Sequence, residues 1–392
     1  MYYYSRIQMT KKYSHSDRIT LHSAIKHSFS EIENALNVEI IGVERAAKAY
    51  GSNANSFFIK AISDNGIQTT YFLKFGRENS IDNELEGNTF IQGIINTPKI
   101  VLFSKKKFFG YEWILYEYIH GNLMSEAFLM VEDRKKLNDF FKIEKQKESH
   151  LKKLHSKDTI MMTYTDYIKS KSNKLFRERF LGKRYKEFYK TGSNNISSLF
   201  DRNLIINGNS LNLTVNQILD NIRKKYKIGG SKKAKAVMGH GDAHHGNIII
   251  NNGIWFIDNE YAGYMTPFME LAKPYYNDFL GTLFFHHSEM LNKYFNITGY
   301  EDNSKEIRLK IDIPEHINKY IEVTRIKLSE RKTIINKKTE DFLSLNEYLI
   351  LCHILTKNPN NYSQTTQKLF LVFIVLLALF DPYNPESIYS YF

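Results

Sequence analysis

The chain has 392 residues, 42% hydrophobic and 24% charged, which excludes a disordered or fibrous class and is enough for a large core or two domains. A single cysteine, Cys352, excludes an internal disulfide and leads us to expect a reducing, cytoplasmic setting. The net charge of +12 is spread over many segments, with short basic runs at 105–107, 223–227 and 232–233. No single nucleic-acid motif emerges, so a nucleic-acid partner is left open, and a neutral or acidic small partner suits this surface better than a polycation.

Residues 1–20 are polar and aromatic without a clear period and are expected to form an N-terminal arm; nothing in them has the apolar core of a signal peptide. Over 21–36, Leu21, Ala24, Ile25, Phe29, Ile32 and Leu36 recur at helical spacing. Extended runs at 40–43 and 57–62 flank the turn-rich stretch Gly51-Ser52-Asn53, a hairpin tip that can offer backbone N–H groups to phosphate. Asp64-Asn65-Gly66 turns into a strand over 68–75 that carries Lys74, and a helix over 82–91 carries Glu84 and Glu86. Strands over 98–103 and 111–119 are joined by a basic turn at 104–107, and the second leaves through Glu117-Tyr118-Ile119-His120-Gly121.

Beyond Gly121 the chain becomes helical, through Leu151 and Leu154 to His155-Ser156. His155 has no acidic neighbour at a telling spacing and is expected to be structural. Residues 160–235 form a long polar and aromatic stretch, with Lys/Arg-rich helices around 167–189 and turns at 192–195 and 207–209.

Chemistry concentrates in Gly239-His240-Gly241-Asp242-Ala243-His244-His245-Gly246-Asn247. After it come an apolar strand at 248–250, an Asn252-Gly253 turn, and a second apolar strand at 254–257 that ends on Asp258. Phosphoryl transfer from a nucleotide needs a carboxylate near the acceptor hydroxyl, which Asp242 can supply, and oxygen ligands for magnesium, which Asn247 and Asp258 can supply. The order H-x-D-x-x-x-x-N, strand, Asp is that of a kinase catalytic loop and its metal aspartate. The same residue types also hold zinc, so His240, His244, His245 and Asp242 are a second candidate cluster.

On these residues the chain resembles the aminoglycoside phosphotransferase and choline kinase group of small-molecule kinases, whose loop reads H-G-D-x-x-x-x-N and whose metal strand reads F-I-D. The resemblance covers about 40–280 and includes the L-H-S at 154–156. Glu270-Leu271-Ala272 stands where the group has D-[IL]-A, and Asn259-Glu260 follow the metal aspartate where protein kinases have Phe-Gly. The resemblance implies an α+β, protein-kinase-like bilobal fold, with a small β-sheet N-lobe over 21–118 and a larger, mostly helical C-lobe over 119–392. ATP would lie between the lobes, and an acceptor-pocket insertion would span about 160–235.

The resemblance also implies that Lys74 holds the α- and β-phosphates, paired with Glu84 or Glu86, the spacing favouring Glu84. Gly51, Ser52 and Asn53 would cover the nucleotide, while Glu117 and Ile119 would meet adenine through their backbones. Asp242 would be the catalytic base and Asn247 and Asp258 the Mg²⁺ ligands. The activity implied is ATP-dependent phosphorylation of a hydroxyl on a small-molecule acceptor such as a sugar or amino alcohol. The alternatives are a catalytically silent scaffold on the same fold, and a kinase acting on a protein or nucleic acid; the lack of an A-P-E element after Asp258 speaks against a protein kinase. The acceptor's identity, ATP against GTP, and the oligomeric state stay open.

Past Ala272, helices are expected over 273–279 and 284–287, and again over much of 313–389. The apolar run 369–380 is shorter than the roughly 20 residues that span a bilayer, so it is expected as a buried helix and no membrane span is expected.

Overall fold

The computed structural model describes residues 15–46, 55–76, 80–108, 110–131, 133–190, 196–228, 232–281, 296–312, 317–356, 358–361 and 364–391. They make a mixed α+β protein of two compact units. One unit holds the described residues up to Met124 together with Gly246–Tyr261; the other holds Ser125–His245 and the described residues from Ala262 onward.

The first unit is built on α1 (His15–Leu36), β1 (Val38–Arg45), β2 (Asn55–Ser63), β3 (Gln68–Gly76), α2 (Ser80–Ile91), β4 (Ile100–Phe108) and β5 (Tyr111–Glu117). The strands form one antiparallel sheet in the order β1-β2-β3-β5-β4. Side chains alternate across it. Phe57, Ile59, Leu73, Phe75, Trp113 and Leu115 pack with Ala24, Ile25, Phe29 and Ile32 of α1, each large apolar side chain contributing about 2 kcal/mol by leaving water. Phe72, Ile114 and Tyr116 point the other way and pack with Ile81 and Leu85 of α2. Lys74 lies between Leu73 and Phe75 in sequence, so the alternation turns it toward α2.

Two boundaries differ from expectation. Helix α1 begins at His15, inside the stretch expected as an arm. Strand β4 does not stop at a basic turn: it runs through 105–107 with an irregular register and ends at Phe108, which pairs with Tyr111 and stacks on His27 of α1. That aromatic anchor holds the strand to the core and moves its end beyond the lysines, to Phe108.

In the same unit, strand β6 (Asn122–Leu123) pairs with Ile248–Ile250, which pairs with Ile254–Phe256. The hairpin closes through the three residues 251–253, of which Asn252 and Gly253 have positive φ, 45° and 148°, conformations that Asn and Gly adopt more readily than other residues. Gly121 leads into β6 so closely that a Cβ there would sit 2.5 Å from the Ile250 carbonyl oxygen, a space only glycine fits. The hairpin is tied back by Asn96, whose carbonyl accepts the Phe256 N–H at 2.9 Å and whose side chain donates to the Ile254 carbonyl at 3.1 Å.

The second unit begins at Ser125, within α3 (Met124–Leu129), and continues into the long α4 (Arg134–Lys157), which is capped by Asp133 accepting the Lys136 N–H at 2.8 Å. Strands Thr159–Thr163, Lys233–Gly239 and Gly263–Met265 form a small sheet. The 160–235 stretch contains helices Tyr164–Lys169, Lys171–Leu181, Lys183–Tyr189 and Val215–Ile228. It also supplies strand Asn203–Ile206, which pairs in parallel with Glu306–Asp312; that strand in turn pairs with Asn296–Asp302.

Among the described residues the unit is completed by helices Ile317–Arg331, Leu345–Thr356 and Gln364–Leu379. From Leu369 to Leu377 every side chain is at most 2% exposed, the mark of a helix sunk in a core on all sides. Among the described residues no helix is long and apolar enough to cross a membrane. Residues 284–287, expected as helical, lie outside the described residues.

Candidate active site

In the first unit, the Lys74 ammonium lies 2.7 Å from Glu84 Oε2 and 2.6 Å from Asp258 Oδ1. Of the acidic pair on α2 it is therefore Glu84, 2% exposed, that meets the lysine. Its second oxygen, Oε1, accepts the Asn259 N–H at 3.0 Å, so one carboxylate ties the lysine to the backbone just beyond Asp258. Asp258 has φ +62°, a left-handed conformation that aspartate tolerates better than most residues and that concentrates at functional positions.

Burial alone would lower the Lys74 pKa, but the charges of Asp258, Glu84 and Glu260 hold it well above its ordinary value. Glu260 goes the other way: burial, then repulsion from Asp258, raises its carboxyl against the pull of Lys74. One ammonium thus faces the carboxyl groups of Glu84, Asp258 and Glu260, so acidic groups outnumber the basic one at this point. Asn247, the other expected ligand, is 8% exposed. Its carbonyl accepts the Ile257 N–H at 3.0 Å, so the backbone of Asn247 is fastened to the residue preceding Asp258.

Glu117 closes β5 with its N–H given to the Lys99 carbonyl at 2.9 Å, which leaves the expected adenine contact of this residue to its carbonyl. Ile119 follows two residues beyond the strand. Gly51, Ser52 and Asn53 lie outside the described residues.

In the second unit, Asp242 sits on a loop whose peptide groups are held by side chains. Glu270, on helix Pro267–Tyr275, accepts the N–H of Gly241 at 2.7 Å and of His240 at 3.3 Å. Asp278 accepts the N–H of His245 at 2.7 Å, and Lys147 donates to the Ala243 carbonyl at 3.5 Å. The loop is further tightened by the Asp242 N–H donating to His240 Nδ1 at 3.2 Å. Beneath it lies a buried charge network. Glu144, Glu148 and Asp278 alternate with Lys147, Lys327 and Arg331, with Lys327 2.5 Å from Glu144 and 3.0 Å from Asp278, and Arg331 2.5 Å from Glu148. All of them are 3% exposed or less.

His245 Nε2 meets Glu144 Oε2 at 2.5 Å. Burial lowers the His245 pKa, so the neutral ring donates that proton. The zinc alternative is not supported: His240 is engaged by the loop backbone, His245 by Glu144, and no group of three or more His, Cys, Asp or Glu is arranged to hold a metal among the described residues.

His155 donates from Nε2 to Glu270 Oε1 at 3.3 Å. Burial alone would raise the Glu270 carboxyl, but the His155 hydrogen bond and nearby positive charge hold it down at about 2. The folded pKa thus lies below the ordinary 4.5, so the stability Glu270 contributes is complete above about pH 4.5 and is lost as pH falls toward about 2. Glu270→Gln is expected to flatten that acid limb, read from urea midpoints measured between those pH values.

No protein-family model matches the chain, and no curated protein matches it in sequence. Solved structures do match. A thermostable mutant of aminoglycoside phosphotransferase APH(4)-Ia, in ternary complex with ADP and hygromycin B, aligns with a TM-score of 0.51 at 9% identity, over 90% of this chain and 99% of that one. An apo form of a thermostable mutant of that enzyme aligns with a TM-score of 0.51 at 9% identity, over 89% and 98%. The chain has the aminoglycoside phosphotransferase fold. On this aminoglycoside phosphotransferase-like framework, Glu270 in place of the aspartate of D-[IL]-A still reaches the loop backbone with both oxygens, and Oε1, which accepts from His240, is also met by His155.

The groups that local patterning did not mark are Glu144, Glu148, Lys147, Asp278, Lys327 and Arg331 of the network, Glu260 beside Lys74, and Lys273 beside Asp242. For Lys273 a signal was present: it follows Glu270 by one helical turn, on the same face.

Proposed function

We propose that the protein transfers the γ-phosphoryl group of ATP to a hydroxyl of a small molecule. The observation that carries this reading is the Lys74 ammonium fixed by Glu84 at 2.7 Å and set against Asp258 at 2.6 Å, on a fold whose matched structures hold ADP or AMP-PNP together with hygromycin B. In this reading Lys74 binds the α- and β-phosphates and Glu84 keeps its ammonium in place. Glu117 and Ile119 meet adenine through their backbones, and the loop at Gly51, Ser52 and Asn53 covers the phosphates. Asp242 orients the acceptor hydroxyl and takes its proton. Asn247 and Asp258 hold Mg²⁺, which when bound neutralises charge on the phosphates.

The test is an ATP-consumption screen against sugars, amino alcohols, nucleosides and aminoglycosides, with and without Mg²⁺. Acceptor-dependent ADP release is expected; its absence across the panel would count for the silent-scaffold alternative. Asp258→Ala is expected to abolish Mg²⁺-dependent binding of AMP-PNP, measured by titration calorimetry, because it removes both a metal ligand and a partner of Lys74. Binding that stays Mg²⁺-dependent in that variant would remove Asp258 from the metal site.

A further inference from the structure

The Lys273 ammonium lies 3.2 Å from Asp242 Oδ2, and the side chains are only 13% and 15% exposed. Water therefore screens this pair less than a surface pair. On helix Pro267–Tyr275, Glu270 and Lys273 share one face a turn apart: Glu270 holds the loop backbone at His240 and Gly241, and Lys273 reaches past them to the carboxylate. The other oxygen of Asp242, Oδ1, faces His244 Nε2 at 3.7 Å. The helix ends just beyond Lys273. Pro274 has no N–H to give the Glu270 carbonyl, and the chain widens into the π turn Tyr276–Leu280, which carries Asp278 to the His245 N–H. Lys273 is thus held at the last turn of an element fastened to the same loop on both sides of Asp242.

Resting on the phosphotransferase reading, we propose that Lys273 is a positioning residue for Asp242. We further propose that the pair selects acceptors whose reacting hydroxyl is flanked by neutral or anionic groups, such as sugars, polyols and sugar acids, over acceptors flanked by ammonium groups. A lone carboxylate at the acceptor site draws cations. Here the protein's own ammonium already meets that carboxylate, so an amino group on the acceptor finds a like charge in its way. In the transfer step the acceptor O–H bond breaks and its proton passes to Asp242, while the acceptor oxygen bonds to the γ-phosphorus. The bond from that phosphorus to the β-phosphate oxygen breaks, and ADP leaves. Lys273 holds the receiving oxygen pair in one orientation until the proton arrives.

The experiment measures ADP release by wild type, Lys273→Met and Lys273→Arg with acceptors that differ mainly in charge: glucose, glucuronate and glucosamine, myo-inositol, ribitol, choline, kanamycin and hygromycin B. Wild type is expected to favour neutral or acidic members over amino members by about 10-fold or more in kcat/KM. Lys273→Met is expected to lower kcat about 100-fold and to narrow that preference, with KM for ATP unchanged and Lys273→Arg restoring most of kcat. If Lys273→Met melts well below wild type, Lys273→Gln is read in the same way. A wild-type preference for amino acceptors, or full kcat in Lys273→Met, overturns the inference and leaves the phosphotransferase reading standing. No ATP-dependent phosphorylation with any acceptor removes that reading and the inference together.

Discussion

Asp242→Ala is expected to lower kcat by about 10³-fold while the affinity for AMP-PNP with Mg²⁺ stays at the wild-type value. The nucleotide-directed groups are organised among themselves: Lys74 is held by Glu84 and Asp258, and Asn247 by the Ile257 N–H. None of those bonds uses the Asp242 side chain. The loop also keeps its shape, because what fixes it is main chain held by Glu270, Asp278 and His240, and alanine preserves the N–H that donates to His240 Nδ1. The variant therefore separates turnover from binding. Asp242→Asn, which keeps the volume beside Lys273 and removes the base, should behave alike in turnover. Steady-state ADP release and titration calorimetry on the same preparations check this, and wild-type turnover in either variant would remove Asp242 from the reaction.

Lys327→Met is expected to destabilise the protein by about 3–5 kcal/mol. Lys327 is fully buried and sits among Glu144 at 2.5 Å, Asp278 at 3.0 Å and Glu148 at 3.5 Å. Burial works against its charge, yet the surrounding carboxylates raise its pKa well above the ordinary lysine value. With the ammonium gone, the carboxylates Glu144, Glu148 and Asp278 face only Lys147 and Arg331, and one negative charge is left without its counterpart in a site closed to water. Adding Glu144→Gln restores the balance of charge, so the double variant should recover part of the loss. Urea unfolding of the single and double variants measures both terms. A single-variant loss under about 1 kcal/mol, the range of exposed pairs, would mean that the network is solvated rather than closed.

The α+β, kinase-like class expected from the sequence is borne out by the fold. It was legible because its signals are local. Asp242, Asn247 and Asp258 fall within one loop and one hairpin, the Asn252-Gly253 turn fixes that hairpin, and Lys74 and Glu84 are only ten residues apart. What stayed hidden depends on partners distant in sequence. Glu144, Lys147 and Glu148 lie in a run of alternating charges on α4 that reads as a solvated helix face; only the arrival of Lys327 and Arg331 from another helix buries them. The strand at 306–312 alternates Ile307, Leu309 and Ile311 with Arg308 and Lys310, a readable period, yet its parallel partner at 203–206 lies about a hundred residues upstream. Glu270 registered as a departure from a motif, and the geometry shows the longer side chain still reaching the loop backbone. The basic run at 105–107 suggested a turn because the signal of a bulged strand, anchored at Phe108, is weaker than that of consecutive lysines.

Phosphorus NMR of the protein with ATP, Mg²⁺ and the acceptor panel tests the central claim most directly. A new phosphomonoester resonance growing in step with ADP, lost in Asp242→Ala and without Mg²⁺, is the expected result. ATP that persists unchanged, or ADP that appears only with inorganic phosphate and equally in Asp242→Ala, would contradict it.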